Sequence, residues 1–169
     1  MVRSWVLIGM MGAGKSSLGR AISEVTGREH LDTDLILQRK LGRPIPQLFQ
    51  IYGESTFRDH ETSVLRSLES GFSVISTGGG IVLREANWEE MKRLGLVVFV
   101  DVDLEVLLER LSASKKKRPL LEVENWEQRV SEILSERRPL YEKADITVRA
   151  GAGTMPEVAA RVIEAVGQL

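Results

Sequence analysis

The chain contains no cysteine among its 169 residues. That absence excludes a disulfide scaffold, a thiolate metal site and a cysteine nucleophile. Histidine is nearly as scarce: His30 and His60 are the two present, at no spacing that would let them share a metal, and surface or strand-edge roles are expected for both. Aromatics make up 5%, and Trp5, Trp88 and Trp126 are scattered, so nothing suggests a stacking platform. No apolar run approaches the ~20 residues of a membrane span. The opening residues reach a glycine loop at Gly9, too early for a signal peptide. Neither charge sign dominates. Twenty-three basic residues against 24 acidic ones leave a net charge of −1, which argues against a general nucleic-acid binder. No repeat, low-complexity tract or linker divides the chain. What remains is one domain over residues 1–169, 43% hydrophobic, large enough to bury its own core, and expected to be soluble and cytoplasmic. Sixteen of the 23 basic residues are arginine, a residue suited to forked capture of carboxylates and phosphates but also common on plain surface.

Apolar runs alternate with helical patterns from end to end. Trp5–Ile8 is a short all-apolar run ending at glycine, a buried strand. Lys15 to Thr26 follows as a helix with Leu18, Ile22 and Val25 on one face, stopped by Gly27. His30–Asp32 ends a second strand, and Asp34 to Leu41 is a short helix closed by Gly42 and followed by Pro44. Ser55 to Leu68 is a longer helix with Phe57, Val64, Leu65 and Leu68 as its stripe, and Phe72–Ile75 is a third strand. Arg84 to Leu94 is helical, Leu96–Val100 is the clearest buried strand, and Asp103 caps a helix through Leu111. Ser112 to Glu124 is polar and basic, a mobile loop. Asn125 with Gln128 starts a helix reaching about Arg138, Ile146–Val148 is a fifth strand, and Thr154 with Glu157 opens a final helix to about Val166. Strands alternating with helices predict a parallel sheet covered on both faces, with ligands at the carboxyl ends of the strands.

The chemistry gathers at those ends. Gly9-Met10-Met11-Gly12-Ala13-Gly14-Lys15-Ser16 fits G-x-x-x-x-G-K-[ST] between a strand and a helix. Glycines let the backbone turn its N–H groups inward, the helix N-terminus favours an anion, Lys15 reaches terminal phosphates, and the Ser16 hydroxyl is a hard ligand for Mg²⁺. This predicts a nucleoside triphosphate with Mg²⁺, but not the destination of the γ-phosphate. Three features favour a second substrate over water. Asp32-Thr33-Asp34 places two carboxylates at the ligand edge; they either divide metal and hydroxyl duties or simply cap the next helix. Thr77-Gly78-Gly79-Gly80 permits close backbone approach to a ligand, or is an ordinary turn. Lys115-Lys116-Lys117-Arg118 beside Pro119 is either a solvated charge run or a lid, with Arg118 the residue placed to close over phosphates. A regulatory switch would carry a GTP-reading N-K-x-D or an apolar partner face, and neither is found.

In order and spacing these motifs, with Phe57-Arg58, Glu61, Arg-Pro-Leu-Leu at 118–121 and Arg137-Arg138-Pro139-Leu140-Tyr141, resemble shikimate kinase, of the nucleoside-monophosphate-kinase-like P-loop group. The resemblance covers essentially the whole chain. It implies an α/β fold of three α/β/α layers around a five-stranded parallel sheet, order 2-3-1-4-5, with substrate-binding helices over about 34–70 and a mobile lid over about 112–124. It implies ATP- and Mg²⁺-dependent phosphorylation of shikimate to shikimate 3-phosphate and ADP, on the route to chorismate and aromatic amino acids. Gly12, Ala13, Gly14, Lys15, Ser16 and Ser17 would hold ATP, Arg110 would stack on adenine near Pro156, and Arg118 would reach the phosphates. Ser16 and Asp32, the latter through water, would attend Mg²⁺. Asp34, Arg58, Gly79 and Arg137 would hold shikimate, with Lys15, Asp34 and Arg118 catalytic; spacing to Pro139-Leu140-Tyr141 favours Arg137 over Arg138. Glu61, one turn past Arg58, could orient its guanidinium. A monomer without nucleic-acid or membrane partners is expected. The alternatives are a gluconate or other small-molecule kinase of the same fold, or a non-catalytic nucleotide switch.

Overall fold

A computed structural model describes residues 3–114 and 118–168. Five strands form one parallel sheet: β1 (Ser4–Ile8), β2 (Glu29–Asp32), β3 (Ser73–Ser76), β4 (Gly95–Asp101) and β5 (Ile146–Arg149). Their order is β2-β3-β1-β4-β5, as expected from the resemblance. Every residue of β1 is buried. Because neighbouring side chains in a strand point to opposite faces, that pattern requires cover on both sides of the sheet. Trp5 lies beside Val74 and Leu96, and Ile8 beside Phe99, so the strand entering the glycine loop is held from both flanks.

Seven helices supply the cover: α1 (Lys15–Thr26), α2 (Thr33–Leu41), α3 (Ile45–Ser67), α4 (Glu85–Leu94), α5 (Leu104–Ala113), α6 (Trp126–Tyr141) and α7 (Met155–Gly167). Helix α1 packs on α7 and on the first three strands, α4 on β1 and β4, and α5 on α6. The main core joins the sheet to Leu18, Ile22, Trp88, Met91, Val130, Tyr141 and Val158 of these helices. Leu37, Leu48, Phe57 and Val64 form a second, smaller core between α2 and α3. The fold thus carries a semi-separate helical unit beside the third strand's end.

Several local expectations need correction. The third helix starts at Ile45, ten residues before Ser55, and bends at Gly53, whose φ of 75° and ψ of 171° are not helical. Pro44, which follows the short helix, and Pro46 both sit at the start of α3, where a missing N–H costs nothing. Val25 is 69% exposed rather than on the buried face. Asp103 stands at the N-cap of α5 without capping it, because its carboxylate bonds Arg149 at 2.9 Å. Asn125 makes no side-chain cap either, and Gln128 donates to Glu132 instead. Helix α6 runs past Arg138 through Pro139 to Tyr141. The Thr154–Glu157 capping box is present. Of the expected lid, Ser112 and Ala113 finish α5, residues 119–121 form a short 3₁₀ turn, and Lys115, Lys116 and Lys117 lie outside the described residues.

Candidate active site

The glycine loop leaves the end of β1 and turns directly into α1. Gly9, Gly12 and Gly14 take φ values of 147°, 81° and 88°, which bend the backbone around a concavity at the helix N-terminus. A Cβ on Gly9 would sit 2.7 Å from the Val100 carbonyl oxygen, so β4 also demands glycine there. Lys15 is buried and donates to the Gly9 and Met10 carbonyls at 2.7 and 2.9 Å. Its ammonium therefore rests across the loop that an anion would fill.

Beside the loop, Ser16 donates to the Asp32 carboxylate at 2.5 Å. The other Asp32 oxygen accepts from the backbone N–H groups of Asp34 and Leu35, at 3.0 and 3.2 Å. Asp32 thus caps α2 and also presents an oxygen to Ser16 beside the glycine loop. His30, on the edge strand β2, is half-buried, and burial pulls its pKa below the ordinary value. It bonds Ser76, which donates to the Lys15 carbonyl at 2.9 Å, tying the base of α1 to β3.

A cavity of about 350 Å³ runs from this loop to the α2–α3 unit. Lys15, Ser16, Ser17, Arg110 and Arg118 line one end, and Asp34, Arg58, Glu61, Gly79 and Arg137 line the other. Ala13 is behind the loop wall, its carbonyl accepting from Arg110 at 3.1 Å. Arg110 also donates to the Ala150 carbonyl at 3.3 Å, bridging the loop to the segment after β5. Arg118 is half-buried and contacts Ser114, and burial lowers its guanidinium pKa. Pro156 is exposed, and Met155 is the residue of that segment that comes against Gly14.

The far end concentrates charge. Arg58 is 6% exposed; it donates to Glu61 at 2.6 Å and to Glu54 at 3.2 Å. Burial would lower its pKa, but the two carboxylates outweigh that and hold it above the ordinary value. Arg137 is equally buried. Its neighbour Arg138 turns away to Asp101 and Glu142, so only Arg137 of the pair lines the cavity. Among the described residues, Arg58 Nε and one terminal nitrogen of Arg137 are buried without a hydrogen-bond partner. Both arginines line the cavity, and a buried donor without a partner is costly. Burial raises the Glu61 carboxyl to about 6, against the pull of Arg58 and with a further push from Asp34.

The glycine run is shaped by these charges. A Cβ at Gly80 would overlap the Arg58 guanidinium, and one at Gly78 would lie 2.9 Å from Glu61 and 3.0 Å from Asp34. The Gly79 carbonyl accepts from the Tyr141 hydroxyl at 2.7 Å, which fixes the turn to α6. Sequence reasoning missed Ile45 and Phe49, which line the cavity from the first segment of α3. Phe49 packs on Phe57 with ring centroids 4.3 Å apart, and the Arg58 guanidinium lies over both rings. Their apolar spacing after Pro44 was the available signal.

Comparison with known proteins gives a consistent picture. The family model described as shikimate kinase matches residues 11–167. A shikimate kinase of Thermodesulfovibrio yellowstonii is 38% identical over 164 residues, 96% of this chain and 94% of that protein. The solved structure of shikimate kinase from Acinetobacter baumannii in complex with shikimate is similar with a TM-score of 0.93 at 38% identity, covering 99% of this chain and 94% of that one. A gluconokinase from Sinorhizobium meliloti has a TM-score of 0.57 at 19% identity over 99% of this chain and 93% of its own, a likeness of fold alone. The first three likenesses run through the phosphate cradle and the charged end of the cavity alike, and by them the chain belongs to the shikimate kinase family.

Proposed function

We propose that the protein transfers the terminal phosphoryl group of ATP to the 3-hydroxyl of shikimate, giving shikimate 3-phosphate and ADP, on the route to chorismate and the aromatic amino acids. The observation that carries this reading is that two buried arginines, each with a side-chain nitrogen lacking a hydrogen-bond partner, line the same cavity as Asp34 and the glycine loop. A small hydroxy-acid satisfies both kinds of group: its carboxylate meets Arg58 and Arg137, and its hydroxyl reaches Asp34. That the family relative from A. baumannii is described in complex with shikimate supports the same acceptor.

Each residue then has a physical task. The loop N–H groups and Lys15 cradle the phosphates, and Lys15 exchanges its two carbonyl partners for phosphate oxygens as ATP enters. Ser16 and Asp32 offer two hard oxygens at one edge of the cradle, a set suited to Mg²⁺, Asp32 through water and with phosphates completing the shell. When bound, Mg²⁺ supplies charge neutralisation on the phosphates. Arg58, Arg137 and Gly79 fix the acceptor so that its hydroxyl points along the cavity. Asp34 accepts or orients the hydroxyl proton. Arg118, on the segment after α5, closes over the phosphates as part of a lid, and Arg110 covers the adenine. Phosphoryl transfer asks mainly for such positioning and charge stabilisation.

The decisive experiment is ATP turnover with shikimate, gluconate and AMP as parallel acceptors. Turnover with shikimate, and little with the other two, is expected. Turnover with gluconate or AMP but none with shikimate would overturn the assignment.

A further inference from the structure

Among the described residues, the largest fully buried side chain is Tyr141, in the last turn of α6. Its ring stacks on Phe99 of β4, with centroids 5.2 Å apart and planes 20° from parallel. Phe99 pairs with Ile8, the last residue before the glycine loop, so the sheet fixes where the phenol ends. There the hydroxyl meets three parts of the site. It donates to the Gly79 carbonyl at 2.7 Å and lies 3.9 Å from the Met10 sulfur. A phenol has one hydrogen, and the shorter bond to the carbonyl takes it. Its oxygen still accepts, and Arg137 reaches it from one turn earlier on the same helix. Charge and hydrogen bonding from Arg137 pull the hydroxyl pKa down, against the larger upward push of burial.

These contacts sit where the two ends of the cavity touch. A Cβ on Gly79 would lie 3.0 Å from the Met11 amide nitrogen and 3.6 Å from the Gly9 carbonyl oxygen. The triple glycine therefore abuts the glycine loop. That loop has supports of its own: β1 is paired on both flanks, Gly9 lies against Val100, and Arg110 holds the Ala13 carbonyl. The facing wall leans on α6, whose last turn is weakened from within. Pro139 has no N–H to donate, so one helical bond is missing just beyond Arg137. Arg138 ties the outer side of that turn to Asp101 at 3.0 Å, and Tyr141 ties its inner side to Gly79. Thr77 anchors the start of the glycine run to the Leu7 carbonyl at 2.8 Å, and Tyr141 anchors its middle.

Resting on the acceptor assignment above, we infer that Tyr141 is a positioning residue for phosphoryl transfer, its hydroxyl holding Gly79 and Arg137 together at a fixed distance from the phosphate-binding loop. Tyr141 does not itself line the cavity, so it acts through the groups it holds. Burial keeps the hydroxyl protonated, and its part is geometric rather than that of an acid or base. The acceptor's carboxylate meets Arg137, and its hydroxyl must then arrive in line with the terminal phosphate. An error at the first place is carried to the second. Removing the Tyr141 hydroxyl leaves the Gly79 carbonyl without its partner and lets that wall relax. The cost falls on alignment, hence on kcat, more than on nucleotide binding.

Tyr141→Phe removes one oxygen and keeps the ring on Phe99. With shikimate as acceptor, kcat should fall by about 10- to 100-fold, the cost of misplacing a reacting group by about 1 Å. The KM for shikimate should rise roughly fivefold, as for one lost hydrogen bond, while the KM for ATP stays unchanged. Ser4→Ala is the control, deleting a buried hydroxyl bonded to Gly71 and Ser73 at the opposite end of the sheet. It should lower Tm and leave all three constants as they were. Unchanged kinetics in Tyr141→Phe, a matching rise in its KM for ATP, or the same kinetic loss in Ser4→Ala would overturn the inference. The chain has two tyrosines, which allows a test that needs no folded Tyr141→Phe. In protein carrying 3-fluorotyrosine, Tyr52→Phe identifies the exposed ring, and the Tyr141 fluorine resonance should shift when shikimate binds, because the substrate carboxylate draws on Arg137. No shift at a shikimate concentration that calorimetry shows to be saturating would overturn the inference as well. A wild-type protein that neither binds nor phosphorylates shikimate would overturn the acceptor assignment itself, and the inference with it.

Discussion

At the scale of single residues, the triple glycine gives the sharpest expectation, because its need for glycine is steric rather than conformational. Gly80 has a φ of −92°, which alanine adopts without strain, yet a Cβ there would overlap the Arg58 guanidinium. Gly80→Ala should raise the KM for shikimate by at least tenfold and lower stability by about 1–3 kcal/mol, the range of overpacking. Gly71→Ala is the control, since nothing lies within 4 Å of its Cβ position, and both KM and Tm should stay put. Steady-state kinetics and thermal melts of the two variants test this together. Asp34→Asn should reduce kcat by about 10²–10⁴-fold, the usual contribution of a positioned acid or base, with ATP affinity unchanged. Equal losses in kcat and in ATP affinity would contradict a role at the acceptor hydroxyl. The cradle was legible in the sequence because its residues are consecutive, from Gly9 to Ser16. At the charged end, Asp34 and the triple glycine were legible as motifs at strand ends, whereas Arg58 and Arg137 were legible only through family resemblance, since they come from two helices and share no local pattern. No spacing rule could have shown that Met155, rather than Pro156, comes against Gly14.

At the scale of elements, α3 and α4 are joined by a buried pin. Asn87, fully buried on α4, donates to the Ile81 carbonyl at 2.8 Å and accepts from Thr62 of α3 at 2.7 Å. Ile81 directly follows the triple glycine, and Thr62 also bonds the Arg58 carbonyl. Asn87→Ala would leave that carbonyl unpaired in the interior, at a cost of about 1–3 kcal/mol. For a chain of this size the expected fall in Tm is about 2–4 °C per kcal/mol, read by a thermal melt. An unchanged Tm would mean that water replaces the amide. Element boundaries followed the sequence closely wherever glycine ended a helix, as at Gly27 and Gly42. They failed over 45–54, where prolines at a helix start and the bend at Gly53 disguised one long element with two segments. At Asp103 the boundary held and the cap bond did not, because the carboxylate bonds Arg149 instead.

At the scale of the whole molecule, two hydrophobic cores of unequal size hold the two ends of the cavity. The sheet core holds the glycine loop, and the small core of Leu37, Leu48, Phe57 and Val64 holds α2 and α3. Regions with few buried apolar contacts open at lower free energy than the main core. Amides of Leu37 and Val64 should therefore exchange with deuterium earlier than those of Leu7 and Val98, and shikimate should slow the first pair selectively. Equal protection across the two cores would show a single cooperative unit. The sheet order has a consequence of its own for how the chain comes into being. Strand Ser4–Ile8 is synthesised before both of its neighbours, Ser73–Ser76 and Gly95–Asp101, so its flanks are complete only once the later of the two has been made. A five-residue segment destined for the interior must wait with at least one open edge while α1, α2, α3 and α4 are made. The anion cradle hanging from that strand is therefore assembled late, and a chain stalled before Gly95 is a client for chaperones rather than a partial enzyme.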